Sequence, residues 1–404
     1  MLYLEKPTEE HITPKRRICL VRHGYYLEDV RDIKEARALI DAGYEVDVVC
    51  LRRKGQPPRE TIDRVALYRI SVTHKRTTVP RYIMQYSLSF MMFSFFLIVL
   101  HLRKRYCCIN VATMPDFLVF TTIVPRILGA KVLLDLREPT PELWVTKYGD
   151  RLRTLLHLQT KIEQSAIDYA DATITVTDEL RDRVVERGAR KEKISIVRNV
   201  CDKNALLGSP DQQTDSQTHH LRLITHGLIE ERYGHIEIIK AVKNLRDTIP
   251  GLHLEILGSG EFQPQIEQLT QELNCSDIVE FAGFVPRDEL FRRIHAANIG
   301  IIAMRRSPYS ELVDTNKMYE YIALRKSIII SRLKPIKRQF DESCVKFFEP
   351  GDYEDLAQKI LELFHDPQRG RQLAENAYKQ YEKMQWESSK EVYLNVIGNL
   401  VLQN

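Results

Sequence analysis

TNKMYEYIALRKSIII, from Thr315 to Ile330, reads as a short helix feeding a buried strand. Met318, Tyr319, Ile322 and Ala323 recur at helical spacing and form a packed face. After Lys326 and Ser327, the run Ile328–Ile330 is continuously apolar, as suits a parallel strand covered on both faces. Thr315 or Asp314 is placed to cap the helix, because a side-chain oxygen there accepts from backbone N–H groups that have no partner inside it. Glu320, between Tyr319 and Tyr321, is a carboxylate in an otherwise apolar helix and needs a partner. A nearby Lys or Arg would make it a buried ion pair. A ligand hydroxyl would make it part of a binding site, with the N–H groups near Asn316 and Lys317 forming an anion site one turn earlier.

The elements upstream repeat a strand followed by a glycine turn. Leu221–Thr225 ends in His226-Gly227 and leads through Glu230-Glu231-Arg232-Tyr233-Gly234 into a helix at His235–Leu245. A glycine turn, an arginine and a helix start suit a pyrophosphate, the N–H groups giving geometry and the guanidinium fixed charge; a surface Arg beside an ordinary turn reads equally well. His253–Leu257 runs into Gly258-Ser259-Gly260, Ile278–Ala282 into Gly283-Phe284-Val285-Pro286, and Ile299–Met304 into Arg305-Arg306-Ser307-Pro308. Strands ending in small residues on one edge describe an open parallel sheet with a binding lip. Tyr353 to about Lys383 is helical in pattern, and Trp386 sits in a break before a last amphipathic helix through Val392, Ile397 and Leu400.

The first half holds a second such series. Ile18–Val21, Arg22-His23-Gly24, a helix from about Asp29 to Ala42 and the strand Val46–Leu51 make a Rossmann-like unit, with binding expected at the carboxyl end of the first strand. Val30, Ile33, Ala36 and Ile40 give the helix a buried stripe, and Arg31 in its first turn faces either solvent or a ligand anion. Ser87–Leu100, SLSFMMFSFFLIVL, is the most apolar stretch, shorter than the roughly 20 residues that span a bilayer. Flanked by Arg81 and by Arg103, Lys104 and Arg105, it reads either as a core helix or as one lying on an anionic membrane surface. The strand Cys107–Ala112, the turn Met114-Pro115-Asp116 and a helix to about Leu128 follow. Lys131–Leu136 then carries Asp135, Arg137 and Glu138 into the crevice beyond a parallel strand, for a ligand or for one another. A helix from about Arg151 to Tyr169 and the strands Thr173–Val176 and Ile194–Val197 complete this half. Gly208–His219, GSPDQQTDSQTH, has no large apolar residue and reads as the linker. The expected division is 1–207, the linker 208–219, and 220–384, with 385–404 returning to the first domain.

At 404 residues the chain suits two domains, and 28% charged with 44% hydrophobic residues is ordinary for a globular protein. A net charge of +4 gives no argument for nucleic acid. The seven cysteines show no C-x-x-C spacing, and Met1–Lys15 has no apolar signal core, so a reduced, cytoplasmic protein is expected. No Walker A, H-E-x-x-H or G-x-S-x-G pattern occurs, which argues against an NTPase, a zinc hydrolase and an α/β-hydrolase. The fold class is α/β: two Rossmann-like parallel sheets facing across a cleft.

The order of Gly227, Glu231-Arg232-Tyr233-Gly234, Leu257-Gly258-Ser259-Gly260, Phe281-Ala282-Gly283-Phe284-Val285 and Asn316-Lys317-Met318-Tyr319-Glu320-Tyr321 resembles glycosyltransferase family 4, retaining enzymes of the GT-B fold. The likeness continues in Met114-Pro115-Asp116-Phe117-Leu118, in Leu134-Asp135 with Pro141-Glu142-Leu143, and in Glu35-Ala36. It implies that Glu320 binds the donor's ribose hydroxyls and that Thr315, Asn316 and Lys317 hold its phosphates. It further implies that Arg232 faces the diphosphate, and that Gly227, Gly258, Ser259, Gly260 and Val285 lie near the nucleotide. Gly24, Arg31, Asp116, Arg137 and Glu138 fall on the acceptor side. No cofactor or metal is implied, the nucleotide sugar being a substrate. A saccharide or lipid-linked acceptor would take the sugar by a front-face route, the leaving phosphate helping to deprotonate its hydroxyl.

The chain departs from the family pattern at Leu312, where the first Glu of a Glu-x7-Glu motif falls, Glu311 standing one position early. It departs again at Ala112, where many relatives carry His, and at Arg137-Glu138, where they carry a His-Asp pair. Leu228 leaves Arg232 without an adjacent second cation; Arg198, Lys317 or Arg305 is available for that role. Three readings follow: an active transferase in polysaccharide or glycolipid synthesis, a nucleotide-sugar-binding protein with altered catalysis, and a sugar-nucleotide epimerase. The epimerase fits the motif order least well.

Overall fold

The computed structural model describes residues 16–72, 79–149, 153–200 and 220–402. Met1–Lys15, Cys201 and the 208–219 linker lie outside the described residues. The first sheet contains β1 (Arg17–Val21), β2 (Glu45–Leu51), β3 (Arg59–Ile62), β4 (Val65–Ile70), β5 (Cys108–Ala112), β6 (Lys131–Leu136), β7 (Ala172–Thr175) and β8 (Ile194–Ile196). Their order is β3-β4-β2-β1-β5-β6-β7-β8, parallel throughout except for the edge strand β3. The second sheet contains β9 (Arg222–His226), β10 (His253–Leu257), β11 (Val279–Gly283), β12 (Ile299–Ile302), β13 (Ser327–Ser331) and β14 (Lys346–Phe348). It runs β11-β10-β9-β12-β13-β14, all parallel. In each sheet the order reverses beside the first strand, so the carboxyl ends of β1 and β9 open crevices.

The strands are covered on both faces, which is why they read as unbroken apolar runs: Ile18, Leu20, Val132, Leu134, Ile301 and Ile329 are all buried. The last helix, Trp386–Leu402, returns to the first sheet, where Trp386, Tyr393, Ile397 and Leu400 join the cluster around Ile18 and Leu39. Trp386 opens this helix, and Val392 faces outward at 37% exposed. Lys34 donates to Val200 O, and its ammonium lies 4.7 Å from the Trp386 ring centre.

Several local expectations give way. The helix after Gly24 keeps its expected place, Val30–Asp41 capped by Asp29 and Ala42, but Val30 and Ile33 are only half-buried and its buried side carries Arg31, Asp32 and Glu35 beside Ala36 and Leu39. Those charges are tolerated because Arg31 pairs with Glu35, and Asp32 with Arg22 and Arg137. The apolar helix is Val79–Lys104, 26 residues, since Tyr and Gln at its start and His101 near its end continue the helix beyond the apolar run. Within it, Met84–Lys104 is long and apolar enough to cross a membrane by length and composition. The segment after Pro115 begins as a 3-10 turn, Asp116–Thr122, and becomes α-helical only over Ile123–Ile127.

Candidate active site

Between the sheets lies a cavity of about 680 Å³, lined by the ends of both crevices. The second domain supplies His226, Gly227, Tyr233, Tyr309, Lys317 and Glu320; the first supplies His23, Gly24, Asp29, Ala112, Arg137 and Glu138.

Helix Asn316–Ala323 positions the C-terminal wall. Met318, Tyr319, Tyr321 and Ile322 anchor it in the core, and Tyr321 donates to Ile224 O on β9. That packing turns Lys317 and Glu320 to the cleft. Thr315 occupies the N-cap position without a side-chain bond. Asp314 accepts instead from Tyr319 Oη (2.6 Å) and Gln339 Nε2 (3.1 Å). Neither residue caps the helix, so its first N–H groups keep no side-chain partner.

The charges on this wall are under-compensated. Lys317 is 9% exposed and makes no hydrogen bond or ion pair among the described residues. Its ammonium lies over the Tyr233 ring, 4.6 Å from the centre. Burial depresses it to about 8, Glu320 opposing and Arg232 adding to the shift. Arg232 stands behind the lining, its guanidinium 5.0 Å from the Tyr233 ring and 5.1 Å from Tyr309, paired with Glu230 at 2.6 Å. Its buried Nε has no hydrogen-bond partner. Of the other candidates for a second cation, Arg198 pairs with Asp178, and Arg305 with Glu231 and Glu237. Lys317 is therefore the cation that faces the cavity beside Arg232. Gly227, at φ +106°, makes room for it: a Cβ there would meet Lys317 Cε at 2.7 Å.

Glu320 lies 3.2 Å from His226 Nε2, out of hydrogen-bond alignment. Burial raises Glu320 to about 7, against Arg287 and Lys317. Burial and Lys317 push His226 down to about 3, so it is neutral at pH 7 and leaves the carboxylate free to accept from a ligand.

Gly258 and Gly260 do not reach the cavity lining. A Cβ on either would strike the backbone oxygen of Gly227 or Ile229, at 1.9 and 2.0 Å, so these glycines let one turn pack on the other. Ser259 accepts from Ile229 N in the same contact, and Val285 packs against the core. Glu311 pairs with Arg306 and accepts from Lys334 N, while Leu312 is buried.

The first domain presents a closed ion cage. Arg31 lines the cavity but is 2% exposed, its guanidinium pairing with Glu35 (2.8 Å) and Asp135 (2.9 Å) and donating to Val197 O. Arg137 reaches Asp29, Asp32, Glu35 and Asp135, and Arg22 takes Asp32 and Glu35. Against burial, Arg137, Arg31 and Arg22 hold Asp135 well below the usual carboxylate range, whereas burial and Asp135 raise Glu35 to about 7. Glu138 accepts from Tyr309 Oη across the cleft at 2.6 Å. Asp116 lies away from the cavity, buried, holding Thr140 Oγ1 (3.0 Å) and Gln159 Nε2 (2.8 Å).

Sequence reading did not single out His226, Tyr233, Tyr309 or Asp29 as site residues. His226 ends a parallel strand, a position that carries ligand contacts in such sheets. The two tyrosines had no comparable signal.

Two open parallel-sheet α/β domains facing across a cleft are the architecture of a GT-B protein. The family model described as glycosyl transferases group 1 matches residues 211–380, and that of a glycosyl transferase 4-like domain matches 34–200. The chain belongs to this glycosyltransferase family. Lipopolysaccharide core biosynthesis glycosyltransferase LpsD of Rhizobium meliloti is 27% identical over 197 residues, 48% of this chain and 53% of that protein. Glycogen synthase of Mycobacterium tuberculosis is 23% identical over 222 residues, 54% of this chain and 51% of that protein. The matches to the first curated relatives span between 36% and 58% of their length. Sucrose-phosphate synthase from Thermosynechococcus elongatus has a TM-score of 0.77 at 18% identity, over 96% of this chain and 100% of that one. Anabaena HepE in complex with UDP-glucose has a TM-score of 0.70 at 11% identity, over 95% of this chain and 99% of that one. These structures establish the GT-B fold.

Proposed function

We propose that this protein is an active, retaining glycosyltransferase that moves a hexosyl group from a nucleoside-diphosphate sugar to an acceptor hydroxyl, in polysaccharide or glycolipid assembly. The observation that carries the reading is Lys317, a buried ammonium facing the cleft with no anionic partner in bonding range among the described residues, beside Arg232 and one turn before Glu320. The two cations suit a diphosphate, and Glu320 suits the ribose hydroxyls. HepE, of the same fold, is solved with UDP-glucose. In the reaction the bond from the anomeric carbon to the phosphate oxygen breaks and a bond to the acceptor oxygen forms on the same face. The acceptor proton passes to the leaving phosphate, whose charge Arg232 and Lys317 offset without a metal. We place the enzyme in the cytoplasm, peripheral on the inner membrane face.

A thermal-shift screen against UDP-, GDP-, ADP- and dTDP-sugars tests the donor site, since a ligand of the folded state raises its stability with concentration. No shift with any of them removes the proposal. Arg232→Ala should lower turnover; wild-type turnover in that variant removes Arg232 from the mechanism. A second reading, donor binding without catalysis, is favoured by the acceptor wall, where Glu138 is held by Tyr309 and Arg137 by four carboxylates. Slow release of UDP or GDP without acceptor supports the enzyme; tight binding with no turnover supports the second reading.

A further inference from the structure

Helix Val79–Lys104 has two apolar sides. Phe93, Leu97 and Leu100 are buried in the first domain's core. Met84, Leu88, Met91, Phe95 and Leu102 follow at spacings of four, three, four and seven, which sets them in one stripe. Each is between 48% and 65% exposed. The short helix Ile123–Ile127 packs beside this one and adds Ile127 at 78% and Leu128 at 51% exposed. His101 reaches the Leu128 backbone, so the two apolar surfaces adjoin. A contiguous surface of this kind marks a docking site.

The chain that builds it is rich in cations, of which Lys104 pairs with Asp47 and Arg126 with Asp171. Between Asp63 and Asp135 the sequence holds ten Lys or Arg and a single acid, Asp116, which is buried. Arg103 and Arg105, at the end of the stripe, are exposed and make no ion pair among the described residues.

We propose that this two-helix surface docks on an anionic bilayer, with the stripe at the acyl boundary and the cations at the headgroups, and that the acceptor is an amphiphile drawn from that bilayer. The helix lies on the membrane and does not cross it, because its other side is core. That other side also reaches the cleft: Ser89 Oγ is 3.0 Å from His23 Nε2, and the Tyr86 ring stacks 5.2 Å from His23, a cavity-lining residue. Docking through one side of the helix therefore brings the acceptor side of the cleft to the headgroups. The acceptor class rests on the transferase reading above; the docking does not.

The test is flotation of the full chain with phosphatidylcholine vesicles, with and without roughly one-third phosphatidylglycerol. The wild type should float with the anionic vesicles at low salt, and less at high salt. The double variant Met91→Ser, Phe95→Ser should float about tenfold less. Both side chains point away from the cleft, so donor hydrolysis should be unchanged and should report folding. Absence of flotation, equal flotation of the variant, or a dimer in sedimentation that the variant dissolves would each overturn the docking. Labelled sugar from the donor identified above should enter vesicles of a polar lipid extract; label passing only to water-soluble saccharides would overturn the acceptor class. Donor turnover without flotation defeats this proposal alone, and flotation without turnover defeats the transferase reading alone.

Discussion

The two walls of the cleft handle buried charge in opposite ways. On the N-terminal wall Arg22, Arg31 and Arg137 interlock with Asp29, Asp32, Glu35 and Asp135, each cation meeting at least two carboxylates. On the C-terminal wall Lys317 has no anionic partner in bonding range among the described residues, Arg232 keeps an unpartnered Nε, and His226 and His235 are held neutral by burial and by Lys317. A cage that satisfies itself builds structure; a wall that leaves positive charge unsatisfied is built for something that arrives.

The contrast is easiest to break through stability. Arg31→Met leaves Glu35 and Asp135 buried beside one fewer cation and should cost about 3–5 kcal/mol in chemical denaturation. A loss under about 1 kcal/mol, the worth of a surface pair, would make the cage dispensable. Lys317→Met should behave in reverse: folding stability unchanged or higher, and donor affinity, read by calorimetry, weaker by about 2–3 kcal/mol. Glu320→Gln should weaken donor binding by about 1–3 kcal/mol; unchanged affinity in a folded variant takes Glu320 out of the site.

The smallest effect is in pH. Glu320 must be ionised to accept from ribose, and Lys317 protonated to meet phosphate, so donor affinity should peak between about 7 and about 8 and fall on either side. As pH rises from ordinary carboxylate values toward about 7, Glu35, Asp116 and Glu320 lower folding stability because they hold protons that the unfolded chain releases, while His226 and His235, neutral in the fold and protonated in the unfolded chain, raise it, so the net change without donor should be small. Asp116→Asn removes one of the falling contributions, so the stability of that variant should rise with pH relative to the wild type over that range; a constant difference would contradict the burial of Asp116.

Much of the scaffold could be read from local pattern. His253–Leu257, Lys131–Leu136 and the helix His235–Leu245 occupy the residues that periodicity gives them. The edge strand Arg59–Ile62 was not legible, since RETI is short, polar and alternates weakly, and the three residues of β14 carry too little pattern. The C-terminal wall of the cavity was legible at Lys317 and Glu320 because both sit on one short helix. On the N-terminal wall Gly24, Arg31, Arg137 and Glu138 were legible as cavity residues, but their pairings were not. Arg31 finds Asp135 across 104 residues, and Tyr309 finds Glu138 across 171, and no periodicity encodes such pairings. The glycines at 258 and 260 resembled a nucleotide loop, but their need is for backbone contact with a neighbouring turn.

Lys34 gives the fold a mechanical consequence. The chain passes between the lobes twice, once after Val200 and once just before Trp386, and this side chain bonds the first crossing while its ammonium rests on the indole of the second. Both crossings are thus pinned at one point on the N-terminal lobe. A single substitution at Lys34 therefore releases both attachments at once.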